Sequence, residues 1–276
     1  MAAAMDWTGP VGSIWAQEWA RTDRSFADLS RYLDAAVLDQ LPDHARRAVD
    51  IGAGAGATSI ALAKARPDLQ VTGLDISPDL LAIARERGAG LANLSFITGA
   101  AEQSAVQLAP IDLFFSRHGV MFFADPVAAF SALRATAAPG ARLVFSCFRT
   151  MNDNPWATAL IAAIGDSPPS PSGYVPGPFA FAETAFVADI LTQAGWTSML
   201  PTAVDYRYRA GEGDDPVADA LSFFKRIGPT SRLLFEADDA ARPAMLERLR
   251  AILTAQRVGN AVDFPAAAWL WSAHAD

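Results

Sequence analysis

Eight consecutive residues carry the strongest chemical signal in the chain: Val49-Asp50-Ile51-Gly52-Ala53-Gly54-Ala55-Gly56. Glycines let a backbone turn tightly and approach a ligand with no Cβ in the way, and amides exposed at a helix start attract a negative group. The third glycine arrives one residue earlier than in the G-x-G-x-x-G loop of dinucleotide-binding proteins, and Asp50 places an acid just ahead of the first. The second chemical group is Asp75, 23 positions beyond Gly52 in Gly73-Leu74-Asp75-Ile76-Ser77. A carboxylate that ends a strand beside such a loop is placed to accept both hydroxyls of a ribose. A purely structural tight turn is the plainer reading of the glycines, and the agreement of acid, spacing and Asp75 weighs against it.

His118, in Phe114-Phe115-Ser116-Arg117-His118-Gly119-Val120-Met121-Phe122-Phe123, is a candidate general base or acceptor contact. An imidazole near its ordinary pKa of ~6.5 can take a proton from a hydroxyl or ammonium. The rival reading is a histidine that only fills space. The histidines His44, His118 and His274 are not spaced as helical metal ligands, and with a single cysteine, Cys147, no metal site and no internal disulfide are expected. Cys147 reads as a small core residue. Trp15, Trp19, Phe148, Trp156, Tyr174, Phe179 and Phe181 form an aromatic set that is either core or a cage for an apolar substrate.

These residues need a scaffold that brings strand ends together. Between 46 and 148 short apolar runs alternate with helical patterns, the signature of βαβ units and a parallel sheet. Strands are expected at 46–51, 69–75, 93–98, 111–116 and 141–148. Ser77-Pro78-Asp79 reads as a helix start, with serine as cap, proline at the first helical position and an acid at the positive end; Asp125-Pro126 repeats it. Pro139-Gly140 is expected to turn the chain into the fifth strand. Residues 165–178, GDSPPSPSGYVPGP, hold five prolines and three glycines and predict an irregular loop. A helix over 183–194, a strand over 196–208, helices over 216–257 and a last strand over 261–272 follow, making seven strands with a helical insertion between the sixth and seventh. Residues 13–41 predict one or two amphipathic helices.

Composition narrows the partners. The chain has 276 residues, 51% of them hydrophobic, which is ample for a sizeable core. A net charge of −8 without a Lys/Arg-rich block offers no footprint for a phosphate backbone or an anionic membrane, so neither nucleic acid nor membrane is expected as partner. No apolar run reaches the ~20 residues of a membrane span, and the start MAAAMDWTGP lacks a basic region before an apolar core. A cytoplasmic protein is the expectation.

The loop, the spacing and Asp75 together resemble the class I S-adenosylmethionine-dependent methyltransferases, strongly over about 46–150 and loosely over the final strands. The Ser-Arg-His-Gly-Val-Met-Phe-Phe stretch looks like a bacterial subgroup of small-molecule enzymes of mostly unassigned substrate. The resemblance implies a doubly wound, mostly parallel seven-stranded α/β sheet of Rossmann-like type, with the last strand antiparallel and helical lid insertions. It divides the chain into an N-terminal helical lid (1–45), a cofactor-binding core (46–150) and a segment completing the core with substrate-side insertions (151–276). It also implies that Gly52, Gly54 and Gly56 hold the amino acid end of S-adenosylmethionine, with Asp50 orienting that loop or the amino group. Asp75 would bind the ribose, Ile76 would lie against the adenine, and the backbone near Ser116 would pass the sulfonium. Relatives read Gly-Asp-Ala after the third strand where this chain has Gly99-Ala100-Ala101-Glu102, so Ala100 lacks the adenine-binding carboxylate, and Ala101 and Glu102 are the remaining candidates there. The implied reaction is methyl transfer to oxygen, nitrogen or carbon of a small, partly apolar molecule, with S-adenosylhomocysteine as product. Alternatives are a non-methylating binding module or other catalyst that keeps the pocket, and an NAD-dependent oxidoreductase.

Overall fold

A computed structural model describes residues 6–165 and 173–276, so residues 166–172 of the expected proline-rich loop lie outside the described part. One sheet organises the molecule. Its strands are β1 (Arg47–Ile51), β2 (Gln70–Asp75), β3 (Leu94–Thr98), β4 (Ile111–Arg117), β5 (Ala137–Phe148), β6 (Thr197–Glu212), β7 (Arg257–Val258) and β8 (Ala261–Ala275), in the spatial order β3-β2-β1-β4-β5-β8-β6 with β7 appended to β8. β1 to β5 pair in parallel, and β8 runs antiparallel between β5 and β6. The doubly wound, mostly parallel sheet with an antiparallel last strand is therefore as the sequence implies. The strand order reverses between β1 and β4, which opens the crevice that open α/β sheets use for ligands.

The helices are α1 (Pro10–Gln17), α2 (Trp19–Ser25), α3 (Ala27–Gln40), α4 (Ala57–Ala65), α5 (Pro78–Arg87), α6 (Ala101–Ser104), α7 (Pro126–Ala135), α8 (Pro155–Ile164), α9 (Thr184–Gln193), α10 (Pro216–Phe224), α11 (Pro229–Glu236) and α12 (Arg242–Ala255). Leu113, Phe114 and Phe115 in β4 are fully buried in succession, which requires helices on both faces of the sheet. Local chemistry starts the helices where the sequence predicts: Ser77 Oγ accepts the Leu80 amide and Asp125 Oδ1 accepts the Ala128 amide.

Three expectations are corrected. Pro139-Gly140 does not precede the fifth strand but lies within it, because Ala137 already pairs with Ile111 and the extra residues are absorbed in a register shift, with Gly140 at φ 73°. The count of seven strands becomes eight, since Arg257 and Val258 turn back on Val262 and Ala261 instead of ending a helix. The N-terminal segment is three helices rather than one or two, broken at Glu18 and Phe26.

The N-terminal helices also protect the edge of the sheet. Asp28 Oδ2 accepts the Arg207 amide at 3.0 Å, Ser25 Oγ donates to the Arg209 carbonyl at 3.0 Å, and Arg24 Nη2 donates to the Ala210 carbonyl at 2.8 Å. Side chains thus satisfy backbone groups of the outer strand β6 that no further strand pairs. The same contacts fix α2 and α3 to the end of the sheet where the parallel strands finish.

Candidate active site

The loop after β1 and the loop after β4 meet backbone to backbone. Gly52 has φ 66°, and a Cβ there would stand 3.0 Å from the Gly119 Cα; a Cβ on Gly119 would stand 2.6 Å from the Ile51 carbonyl oxygen. Ser116 locks the junction by donating from Oγ to the Ile51 carbonyl at 2.6 Å and accepting the Gly119 amide at 3.1 Å. Its buried side chain is therefore committed to holding the two strand ends together.

Above this junction the loop is open. Gly54 sits at φ 54° with nothing within 4 Å of where a Cβ would be, so its conformation requires glycine while the space beside it stays free. Asp75 fixes the loop from β2: Oδ2 accepts the Gly54 amide at 2.8 Å and Oδ1 accepts the Ser77 amide at 2.8 Å. Burial raises the Asp75 pKa, while hydrogen bonds from Ser77, Gly54 and Ile76 amides pull it down. Each oxygen keeps lone-pair capacity for a ligand hydroxyl. Ile76, next along, is exposed at 39% at an otherwise buried strand end, leaving an apolar face for a flat ring. The Gly99 amide donates to the Asp75 carbonyl at 2.9 Å, which brings Ala100, Ala101 and Glu102 to the same side; Ala101 is buried at the start of α6 and Glu102 is half-buried.

Asp50 faces the helix rather than the glycines. Its Oδ2 accepts Ser59 Oγ at 2.6 Å, and burial pushes its pKa up to about 7 against the smaller opposing effects of Ser59 and Arg117. Among the described residues no cation lies within ion-pair distance of this buried carboxyl. The left-handed glycine loop, the double-accepting Asp75 and the bare Ile76 together fit an amino acid joined to a nucleoside, with Asp50 supporting the loop from the α4 side.

Around these groups lies a clasp that sequence reasoning missed. Asp23 on α2 receives Arg87 Nη2 at 2.7 Å and Arg117 Nη2 at 2.6 Å. Arg87 also donates to the Ala55 carbonyl of the glycine loop at 2.5 Å and lies 4.1 Å from the Trp19 ring. Arg117, at the end of β4, donates to Ser30 Oγ at 3.1 Å. The available signal was Asp23 standing among Arg21 and Arg24 in an otherwise amphipathic helix, and Arg117 lying inside the β4 motif. On its other side α2 is held to the insertion: Arg21 and Arg24 meet Asp219 at 2.8 and 2.7 Å, and Glu18 meets Arg226 at 2.9 Å. Residues 174–177 reach the same edge, with Tyr174 Oη donating to the Phe123 carbonyl and the Gly177 amide to the Met121 carbonyl.

His118 is neither exposed nor ordinary. Its φ is 61°, its amide donates to the Ser146 carbonyl, its Nδ1 lies 2.7 Å from Ser146 Oγ, and its buried Nε2 has no partner among the described residues. A left-handed non-glycine backbone and an unsatisfied buried polar atom cost about 1–3 kcal/mol each. Burial, aided by the neighbouring Arg117 charge, pushes the imidazole down to about 3, so it is neutral at physiological pH. Phe148 and Phe26 lie 4.2 and 5.0 Å from its ring, and the cluster continues through Trp156, Phe179 and Tyr208. Of the aromatics singled out in the sequence, Phe148, Trp156 and Phe179 are in this cluster, Trp19 is in the clasp, and Trp15 lies against Trp7. Tyr174 and Phe181 belong to a neighbouring group with Phe186. Cys147 is buried, with its thiol against the Phe181 carbonyl.

The family described as "Methyltransferase domain" matches residues 42–177, just under half of the chain. Malonyl-[acyl-carrier protein] O-methyltransferase of Xylella fastidiosa is 36% identical over 112 residues, which are 40% of this chain and 38% of that relative. The chain thus spans about two fifths of the length of that relative. Among solved structures, the YcgJ protein of Bacillus subtilis superposes with a TM-score of 0.53 at 15% identity, covering 88% of this chain and 98% of that one. Phosphoethanolamine N-methyltransferase 2 of Haemonchus contortus, in complex with phosphomonomethylethanolamine and S-adenosylhomocysteine, superposes with a TM-score of 0.52 at 15% identity, over 96% of this chain and 57% of that one. At these identities the structural likeness shows the fold alone.

Proposed function

We propose, from the match of residues 42–177 to the family described as "Methyltransferase domain", that the protein is an S-adenosylmethionine-dependent methyltransferase acting on a small, partly apolar acceptor. The observation that carries this reading is the joined loop and acid: Gly54 and Asp75, 2.8 Å apart, leave a free shelf above the junction of β1 and β4. Asp75 would accept the ribose hydroxyls, Ile76 would bear on the adenine, Gly52 to Gly56 would hold the amino acid end, and Asp50, bonded to Ser59 of α4, would orient that loop from beneath. Ala101 and Glu102 stand where the adenine edge would lie.

Bound S-adenosylmethionine supplies a methyl group already activated on a sulfonium. What remains for the chain is to align the acceptor with that methyl, exclude water and, for a protonated acceptor, take a proton. We assign the covering role to the N-terminal helices (1–45) and to the substrate-side insertions within 151–276, and we place the protein in the cytoplasm. No helix among the described residues is long and apolar enough to cross a membrane. The net charge of −8 favours a small acceptor over a nucleic acid.

Incubation with S-adenosylmethionine and a panel of small acceptors, followed by mass spectrometry, tests the reading. S-adenosylhomocysteine together with a 14 Da gain on one acceptor is the expected outcome. Tight binding of the donor with no product from any oxygen, nitrogen or carbon acceptor would favour the non-methylating alternative.

A further inference from the structure

The proposed function leaves the acceptor unnamed, and the surroundings of His118 restrict it. Five rings from separate parts of the chain converge there: Phe26 from the break between α2 and α3, Phe148 from the end of β5, Trp156 from α8, Phe179, and Tyr208 from β6. Trp156 and Tyr208 stack with 9° between their planes, and Trp156 and Phe179 with 27°. A cluster serving only as core would have no use for a polar atom beside it, yet the imidazole of His118 packs on Phe26 and Phe148 with its buried Nε2 without a partner among the described residues. The imidazole is oriented from behind by Ser146 at 2.7 Å. The guanidinium beside the cluster, that of Arg117, is 5.5 Å from the Phe26 ring and is already engaged by Asp23 and Ser30. The Arg117 charge is therefore answered within the protein by Asp23.

We propose that this ring cluster is the acceptor subsite, and that the acceptor is an uncharged hydroxyarene whose hydroxyl hydrogen-bonds to Nε2 of His118. The inference rests on the methyltransferase reading above. The acceptor enters by displacing Phe26, which is carried by the covering helices rather than by the sheet, and its ring then takes the place of Phe26 against Phe148 and Tyr208. For this, Ser146 Oγ accepts from Nδ1–H and leaves the Nε2 lone pair toward the hydroxyl. The acceptor oxygen forms its bond to the methyl carbon as the carbon–sulfur bond breaks, and the sulfur keeps that electron pair. The hydroxyl proton passes to Nε2 and from there to solvent when the product leaves. Even a weakly basic imidazole suffices, because the oxygen becomes strongly acidic as the methyl arrives. His118 is thus both base and specificity determinant.

The test uses the full chain with histidines labelled by nitrogen-15, loaded with S-adenosylhomocysteine, and 2-naphthol as probe. With three histidines, one spectrum of His118→Phe assigns the His118 signal. The expected result is a shift of the His118 Nε2 resonance on adding 2-naphthol and none on adding naphthalene or cyclohexylamine. With S-adenosylmethionine in place of the product, 2-naphthol should gain 14 Da. His118→Phe and His118→Gln should lose about 10²–10⁴-fold in kcat while retaining affinity for S-adenosylhomocysteine. Intact S-adenosylhomocysteine binding with no Nε2 shift and no 2-naphthol methylation would overturn this proposal and leave the methyltransferase reading standing. Loss of S-adenosylhomocysteine binding in the unaltered protein would overturn both.

Discussion

Asp75 holds Gly54: the carboxylate that ends β2 accepts the amide at the middle of the glycine loop, at 2.8 Å. The acid and the loop are usually considered as two ligand-binding features, but here they are one mechanical unit. Ser77 completes it, donating its amide to the other oxygen while its hydroxyl caps α5. The shelf is therefore preorganised, which reduces the ordering that binding must cost.

The Asp23 clasp should control how long the cofactor stays. Its two ion pairs are largely shielded from solvent, so removing the charge of one partner costs more than it would at an exposed pair. Replacing Asp23 by Asn keeps the shape and removes the charge. Dissociation of S-adenosylhomocysteine, followed by stopped-flow fluorescence, should accelerate by roughly tenfold, corresponding to about 1.4 kcal/mol. Hydrogen exchange in α1 and α2 should rise in parallel. An unchanged off-rate with unchanged exchange would show that α2 does not retain the ligand.

Asp50 and His118 give opposite pH dependences of stability. Asp50 has its folded pKa raised to about 7, so its contribution is complete below its ordinary value near 4 and is lost as pH rises through 7. His118 has its folded pKa lowered to about 3, so the unfolded state takes up the proton first and stability falls as pH drops from ~6.5 toward 3. In Asp50→Asn the first dependence disappears. The melting temperature of the variant relative to the unaltered protein should therefore climb between pH 4 and 7 and level off above. A difference that stays constant across that range contradicts the assignment.

The parallel core was legible because its punctuation is local. Ser77-Pro78 and Asp125-Pro126 start helices through bonds to amides three residues ahead, so a few letters suffice. The glycine loop and Asp75 were legible for a related reason, since spacing alone places them at adjacent strand ends. What escaped was non-local. The clasp joins Asp23 to Arg87 and Arg117 across 64 and 94 positions, and no periodicity encodes such a pair. Pro139-Gly140 misled because these turn formers also serve within a bulged strand, and only the pairing of Ala137 with Ile111 tells the two apart. His118 was recognised as unusual, but its burial and the surroundings of its Nε2 depend on Phe26 from the break between α2 and α3 and on Ser146 and Phe148 from β5.

The contact of the two loops predicts an asymmetry among glycines. Gly119 adopts a φ of −84°, which any residue tolerates, but a methyl group there would press on the Ile51 carbonyl at 2.6 Å. Gly119→Ala should lose about 1–3 kcal/mol of stability and weaken cofactor binding by displacing the β1 loop. Gly177→Ala, with nothing among the described residues within 4 Å of the added carbon, should be neutral within about 0.5 kcal/mol. Urea denaturation of both variants checks the pair, and equal stabilities would mean that the loops do not touch as described.

The shelf formed by Gly54 and Asp75 is the point on which the account stands, and calorimetric titration of the unaltered protein and of Asp75→Ala tests it most directly. S-adenosylmethionine and S-adenosylhomocysteine should each bind the unaltered protein at one site, NAD should not bind, and Asp75→Ala should weaken both ligands by roughly 2–4 kcal/mol through loss of charge-assisted hydrogen bonds. Binding of NAD in their place, or an affinity for S-adenosylhomocysteine unchanged by Asp75→Ala, would contradict it.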